Sequence, residues 1–301
     1  MGKLSVTLPP FTVKEQFQSF SEVYDWGLQD IHIPEIHKQT LGEGIKIAVI
    51  DSGKSEHSEV AEAILGAKNF SDSPLIEDRN GHGTFVSGII AARQNSDGII
   101  GVAPKAMLYF AKATGDSGSG DPSALVNGID WAIQQGVDII SISAGMFFDF
   151  KPLHQVIKKA YQKNIIVIAA VGNSASRYYD VAFPARYPEV IGVAAYDQRR
   201  QVAPFSSRGV NVDFAFPGVN IYSTYLNNGY ASMNGTSFSC PLMAGVCALI
   251  LSKHRQTPTD TTPCETPSQM MEHLKKYAKK LGSQNETGFG VVDLEELIKN
   301  A

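Results

Sequence analysis

Four polar residues, each beside glycine or a short apolar run, hold the reactive chemistry of this chain. Asp51 stands in "IDSG", His82 in "NGHGTFVSG", Asn173 in "GNS" and Ser237 in "NGTSFSCP". Singly, each has a plain reading. Asp51 suits a turn, His82 a local cap and Asn173 a Gly-Asn turn, while Ser237 suits the start of the helix "LMAGVCALIL". As a set they supply a carboxylate, an imidazole, an amide donor and a hydroxyl, which are the groups needed for acyl transfer. A serine hydroxyl is a poor nucleophile at neutral pH, so an imidazole must take its proton during attack. A carboxylate on the other ring nitrogen fixes the tautomer and stabilises the cation. The tetrahedral oxyanion needs preorganised donors, here the Asn173 amide and the Ser237 backbone N–H. The glycines on either side of His82 let backbone and substrate approach its ring.

The elements that must position these groups alternate along the chain. Residues 45–50, 106–111, 137–143, 165–171 and 190–195 are nearly continuous apolar runs, as expected of parallel strands covered on both faces. Between them, "PSALVNGIDWAIQQ" predicts a helix capped by Asp121 with Pro122 at its first position, and Leu125, Ile129, Ala132 and Ile133 on one face. "KPLHQVIKKAYQK" places Leu153, Val156, Ile157, Ala160 and Tyr161 on another apolar stripe. The pattern predicts an α/β fold, a parallel sheet flanked by helices on both faces, with ligands outside the carboxyl ends of its strands. Asp51 and Asn173 follow predicted strands, while His82 and Ser237 open predicted helices. Residues 254–268 read as a Pro/Thr-rich loop and "SQMMEHLKKYAKKLG" as an amphipathic helix.

Composition excludes little beyond this. The net charge, 26 − 30 = −4, gives no basic field for nucleic acid or anionic membrane. Cys240, Cys247 and Cys264 are an odd set without metal-ligand spacing to histidine, which fits a reducing compartment. The N-terminal residues lack a signal-peptide core. The apolar run from Phe238 to Leu251 is short for a membrane span of about 20 residues. A cytoplasmic, non-membrane location is the expectation.

"AVIDSG", "NGHGTFVSG", "AAVGNS" and "NGTSFSCP" resemble the four signature segments of subtilisin-like serine proteases, in that family's order. The resemblance runs from about Trp26 to Asp293 and is strongest to the intracellular subtilisins. The order Asp, His, Ser separates the chain from chymotrypsin-like enzymes and α/β-hydrolases. It implies a serine endopeptidase with Asp51, His82 and Ser237 as its triad and Asn173 at the oxyanion. An esterase-type hydrolase is disfavoured, since no Gly-x-Ser-x-Gly elbow surrounds Ser237. A catalytically silent peptide-binding module is the other alternative.

The resemblance implies more about the cleft. "SGSGDP", with Gly118, Ser119 and Gly120, and "SISAG" would clasp an extended peptide by main-chain pairing. Ser143, Ala144, Gly145, Ala170 and Gly172 would wall the first specificity pocket, with Ala182 at its base and a cis bond at Phe183–Pro184. None is charged, so an apolar residue before the cleaved bond is expected. "AARQNSDGIIGVAP" has the length of the family's Ca²⁺ loop. Its implied ligands are the Asn95 side chain, the carbonyls of Arg93, Asp97 and Ile99, and Glu59. Phe85, Leu242 and Met146 depart from the family's usual histidine, histidine and glycine. Residues 1–22 would form a short extension before a catalytic domain over 23–301. Its "LPPF" (8–11) fits the Leu-x-Pro-Phe/Tyr pattern of intracellular subtilisins, in which such a segment blocks the cleft until cut. Cleavage between Phe11 and Trp26, and a homodimer, complete the expectations.

Overall fold

The structure is a computed structural model and describes residues 5–9, 13–17, 22–175, 181–257 and 263–299. Its centre is a seven-stranded sheet of β3 (Lys46–Asp51), β4 (Ile64–Asn69), β5 (Met107–Lys112), β7 (Ile139–Ile142), β8 (Ile166–Ala170), β9 (Val190–Tyr196) and β10 (Phe214–Pro217). The order is β10-β9-β8-β7-β3-β5-β4, and every pairing is parallel. Five of these strands match the apolar runs of the sequence. β4 and β10 were not legible there: "ILGAKN" is half exposed at the sheet edge and "FAFP" is short and ends in proline.

The continuous apolar runs follow from burial on both faces. In β3, Ile47 and Val49 enter one core while Ala48 and Ile50 enter the other. The first core is covered by α4 (His82–Ala91) and α7 (Thr236–Gln256), and the second by α5 (Pro122–Gln134) and α6 (Lys151–Gln162). Asp121 caps α5 by accepting the Ser123 N–H at 2.8 Å, and Pro122 sits in its first turn. The stripes of α5 and α6 point inward, although Ile133 and Tyr161 reach only half-burial. Every residue of α7 from Thr236 to Ser252 is buried, so its length and apolarity are those of a core helix.

Smaller elements complete the chain. The short helices include α1 (Trp26–Asp30), α2 (Ile33–Ile36) and α3 (Ser58–Ala61), with α8 (Pro267–Lys276), α9 (Gln284–Thr287) and α10 (Leu294–Lys299) near the end. The predicted helix over 268–282 therefore stops at Lys276, and Ala278–Lys279 pairs with Val291–Val292 instead. Two antiparallel additions involve the N-terminal residues. β1 (Val6–Thr7) pairs with β6 (Ser119–Gly120), and β2 (Val13–Phe17) joins the hairpin of β11 (Ile221–Tyr225) and β12 (Gly229–Met233).

Strand order reverses beside β3, whose neighbours β5 and β7 lead to opposite sheet edges. This switch point gathers the ends of β3, β7 and β8 into one crevice.

Candidate active site

Asp51 is the last residue of β3, not the first after it, and its side chain is buried at the sheet's carboxyl end. His82 opens α4 and is fully buried. Its Nδ1 donates to Asp51 Oδ1 at 2.8 Å. A carboxylate only accepts, so the contact places the proton on Nδ1 and makes Nε2 the basic nitrogen of the neutral ring. The same Asp51 oxygen accepts the Ser52 backbone N–H at 2.8 Å.

Ser237 is the second residue of α7. The cap position belongs to Gly235, and no side-chain cap bond is made there. Ser237 is therefore not spent on capping. Its Oγ lies 3.4 Å from the Ser143 carbonyl, while Ser143 Oγ donates to the Ser237 carbonyl at 2.8 Å. Ser143 thus ties the end of β7 to α7 and does not line the apolar cavity described below. Cys240, one turn along α7, has its thiol pushed up to about 11 by burial, which keeps it protonated and unreactive.

Asn173 follows β8 and turns its Oδ1 toward Thr236, accepting the backbone N–H at 3.0 Å and the hydroxyl at 2.9 Å. Its Nδ2 lies 3.3 Å from where a side chain on Gly235 would begin. The amide is thereby oriented at the start of α7, oxygen engaged and nitrogen beside the residues leading to Ser237.

The apolar cavity beside these groups measures about 310 Å³. Ala144, Gly145, Ala170, Gly172 and Ala182 line it, together with Phe147, Asn173, Ser174, Thr7 and Pro9. Met146 is buried and bonds both ways to Phe183, its N–H to the Phe183 carbonyl at 3.0 Å and the reverse at 2.8 Å. Phe183–Pro184 is cis. Phe85 packs on Phe238 with ring centroids 4.6 Å apart, and Phe238 lies 5.6 Å from the His82 ring. Nothing in the spacing of the sequence announces this aromatic contact between α4 and α7.

The chain's own N-terminal segment crosses the crevice in extended form. Thr7 exchanges both backbone bonds with Gly145, at 3.0 and 2.9 Å, and the Leu8 N–H donates to the Gly118 carbonyl at 2.9 Å. Val6 is opposite Gly120 and fully buried. Pro10 and Phe11, the second half of the "LPPF" motif, lie outside the described residues.

The model of the subtilase family matches residues 42–290. The chain belongs to the subtilase family. Subtilisin Savinase of Lederbergia lenta is 40% identical over 272 residues, covering 90% of this chain and 97% of the relative. Subtilisin DY of Bacillus licheniformis is 40% identical over 278 residues, covering 91% and 98%. The M-protease of Shouchella clausii (strain KSM-K16) is 37% identical over 295 residues, covering 97% of this chain and 74% of the relative. This subtilase is a serine endopeptidase, with polypeptides as its substrates.

At the loop implied for Ca²⁺, the buried Glu59 feels the charges of Asp97 and Glu22. Glu59 is almost wholly buried, accepts from Tyr230 Oη at 2.5 Å, and presses against Gly98. Burial pushes its carboxyl up to about 7, and the charges of Asp97 and Glu22 add to the rise. Glu22 accepts the backbone N–H groups of Asn95 and Ser96 at 2.8 and 3.0 Å. Its place here is invisible in the sequence, which separates it widely from the loop. Asn95 uses its side-chain oxygen to accept the Asp97 N–H at 3.0 Å. Among the described residues, no three His, Cys, Asp or Glu are grouped in a metal-holding arrangement.

Proposed function

We propose that this subtilase cuts peptide bonds on the carboxyl side of an apolar residue, with Asp51, His82 and Ser237 as its triad. The carrying observation is the buried 2.8 Å contact between His82 Nδ1 and Asp51 beside an apolar cavity at the start of α7. In the first step His82 Nε2 takes the Ser237 hydroxyl proton as Oγ bonds to the substrate carbonyl carbon. The Asn173 amide and the Ser237 N–H stabilise the oxyanion. Collapse breaks the C–N bond, and the His82 proton passes to the leaving amine. Water repeats the sequence on the acyl-enzyme and restores Ser237. Asp51 accepts from His82 Nδ1 throughout and holds the ring in place. An uncharged cavity of small residues favours an apolar side chain before the scissile bond.

The second part of the reading is self-inhibition by residues 1–22. Thr7 and Leu8 use the backbone groups of Gly145 and Gly118 that a substrate would need, and Pro9 lines the cavity. The bond following Pro9 in the sequence is to another proline, a poor candidate for cleavage because its nitrogen is a ring tertiary amide. Removal of the extension by proteolysis would open the cleft. Three free, buried cysteines favour action in a reducing compartment.

A hard cation at the 93–99 loop would offset the charge of buried Glu59, which lies near the charges of Asp97 and Glu22. Ca²⁺ there would be held by Glu59, Glu22, Asn95 and the carbonyls of Arg93, Asp97 and Ile99, and would neutralise Glu59.

A time course of chromogenic peptide hydrolysis tests the whole reading. Turnover should vanish in Ser237→Ala, and wild type should show a lag that deletion of residues 1–21 abolishes. Persistent turnover in Ser237→Ala would sink the triad; an identical, lag-free course in the deletion variant would sink self-inhibition.

A further inference from the structure

Asp51 and His82 come from different elements, one from the end of β3 and one from the start of α4. Their 2.8 Å contact therefore depends on how strand end and helix start are held together. The structure shows a polar link that does this, made by two buried residues that carry no reactive chemistry. Asp78 precedes α4 by one turn and is 7% exposed. Its Oδ1 accepts the backbone N–H groups of Asn80 and Gly81, both at 3.0 Å. Its Oδ2 accepts the Thr84 N–H at 2.7 Å and the Thr84 hydroxyl at 2.8 Å. One carboxylate thus satisfies donors before and inside the first turn of the helix that His82 opens.

The fifth donor to Asp78 comes from the residue that follows β3. Ser52 Oγ, fully buried, donates to Asp78 Oδ1 at 2.9 Å and accepts the Gly83 N–H of α4 at 2.9 Å. Ser52 also gives its backbone N–H to Asp51 Oδ1. The residue after the triad acid and the residue after the triad base are therefore joined through one hydroxyl. The backbones fit closely enough because two positions lack side chains. Gly53 has φ of +145°, and a Cβ there would sit 2.8 Å from the Asp78 backbone. A Cβ on Gly83 would sit 2.6 Å from the Gly53 carbonyl.

We infer that Ser52 and Asp78 are positioning residues for the reaction, fixing the Asp51–His82 pair by bonding the end of β3 to the first turn of α4 through the Ser52 hydroxyl. The inference rests on the triad reading above. Charge-assisted bonds from Asp78 are short and strong, so the link is stiff where a neutral turn would give. Misplacing a catalytic pair by about 1 Å costs on the order of 10²-fold. Substrate binding uses Gly118, Gly145 and the apolar cavity, none of which the link touches, so the loss should fall on turnover.

The test compares wild type, Ser52→Ala, Ser52→Thr, Asp78→Asn and the Ser52→Ala/Asp78→Asn double variant as full chains. Ser237→Ala is the control. Reactive sites are counted with an irreversible sulfonyl fluoride, and kcat and KM are determined per reactive site well below each thermal midpoint. Ser52→Ala is expected to lose about 10- to 100-fold in kcat with KM within about twofold. Ser52→Thr keeps the hydroxyl and should retain most turnover. The double variant should be little worse than Asp78→Asn alone, because both substitutions cut the same link. Unchanged kcat per site in Ser52→Ala overturns the inference. So does an equal loss in Ser52→Thr, or full additivity in the double variant. Activity surviving in Ser237→Ala would instead defeat the triad reading beneath it.

Discussion

Val6 offers a direct measure of how firmly the N-terminal segment closes the crevice. Its side chain is fully buried and Leu8 is nearly so. Burying a Val and a Leu contributes roughly 3–6 kcal/mol together. The three backbone bonds to Gly145 and Gly118 add about 1 kcal/mol each. Ordering residues 5–9 costs roughly 5–10 kcal/mol, so closure is close to balanced and sensitive to single methyl groups. Val6→Ala removes the equivalent of two methylenes, about 1.6 kcal/mol, or a factor of about fifteen in the closed-to-open ratio. Made in a Ser237→Ala background, the comparison is free of self-cutting. A fluorescent peptide with an aromatic residue to enter the cavity should bind the Val6→Ala chain about 5- to 15-fold more tightly than its parent. Deletion of residues 1–9 should tighten it further. Equal affinities across the three chains, read by fluorescence anisotropy, would refute occupancy of the crevice by this segment in solution.

Three further outcomes follow from the site. Asn173→Ala should lower kcat by about 10²–10³-fold, the magnitude known for the equivalent loss in subtilisin, with KM little changed; a smaller loss than about fivefold removes Asn173 from the oxyanion. Ala182→Asp places a carboxylate in the 310 Å³ cavity, so kcat/KM should swing from substrates with phenylalanine before the scissile bond toward those with lysine. Without Ca²⁺, Glu59 titrates near 7 in the folded chain against about 4.3 unfolded. The folded state holds that proton more tightly, so its contribution is complete below about pH 4.3 and is lost as pH rises toward 7, by up to about 1.4 kcal/mol per pH unit. Thermal melts in chelator from pH 5 to 8 should therefore slope less steeply for Glu59→Gln than for wild type. Added Ca²⁺ should raise the wild-type midpoint at pH 8 more than that of the variant, and identical behaviour of the two chains would reject Glu59 as a ligand.

Much of the fold was legible because parallel strands buried on both faces leave an unbroken apolar trace. β3, β5, β7, β8 and β9 show it, and α5 announces its start through Asp121 and Pro122. β4 lacks the trace because at the sheet edge none of its residues is fully buried. β1 and β2 have none, being short strands made by pairing with distant partners. The four candidate residues, Asp51, His82, Asn173 and Ser237, stand out because glycines and strand ends mark them. Their supports do not stand out. Asp78 looks like an ordinary turn aspartate, and Ser52 like a filler in "IDSG". Only folding brings them together with Gly83. Glu22 escaped for the same reason, and so did the Phe85–Phe238 contact, whose members lie on separate helices. Phe147, exposed at the cavity mouth, carries no local sequence signal either.

β1 belongs to the same chain as the cleft strand it pairs with. Its local concentration is set by tether geometry, on the order of millimolar for short flexible links, and not by how much enzyme is present. Dilution cannot release such an occupant, and excess substrate displaces it only by outcompeting that fixed value. Once the tether is severed, the freed fragment falls to the bulk concentration of the enzyme itself. A fragment held by closely balanced terms then returns only by weak second-order rebinding at that low concentration, so a single cut would act as a ratchet.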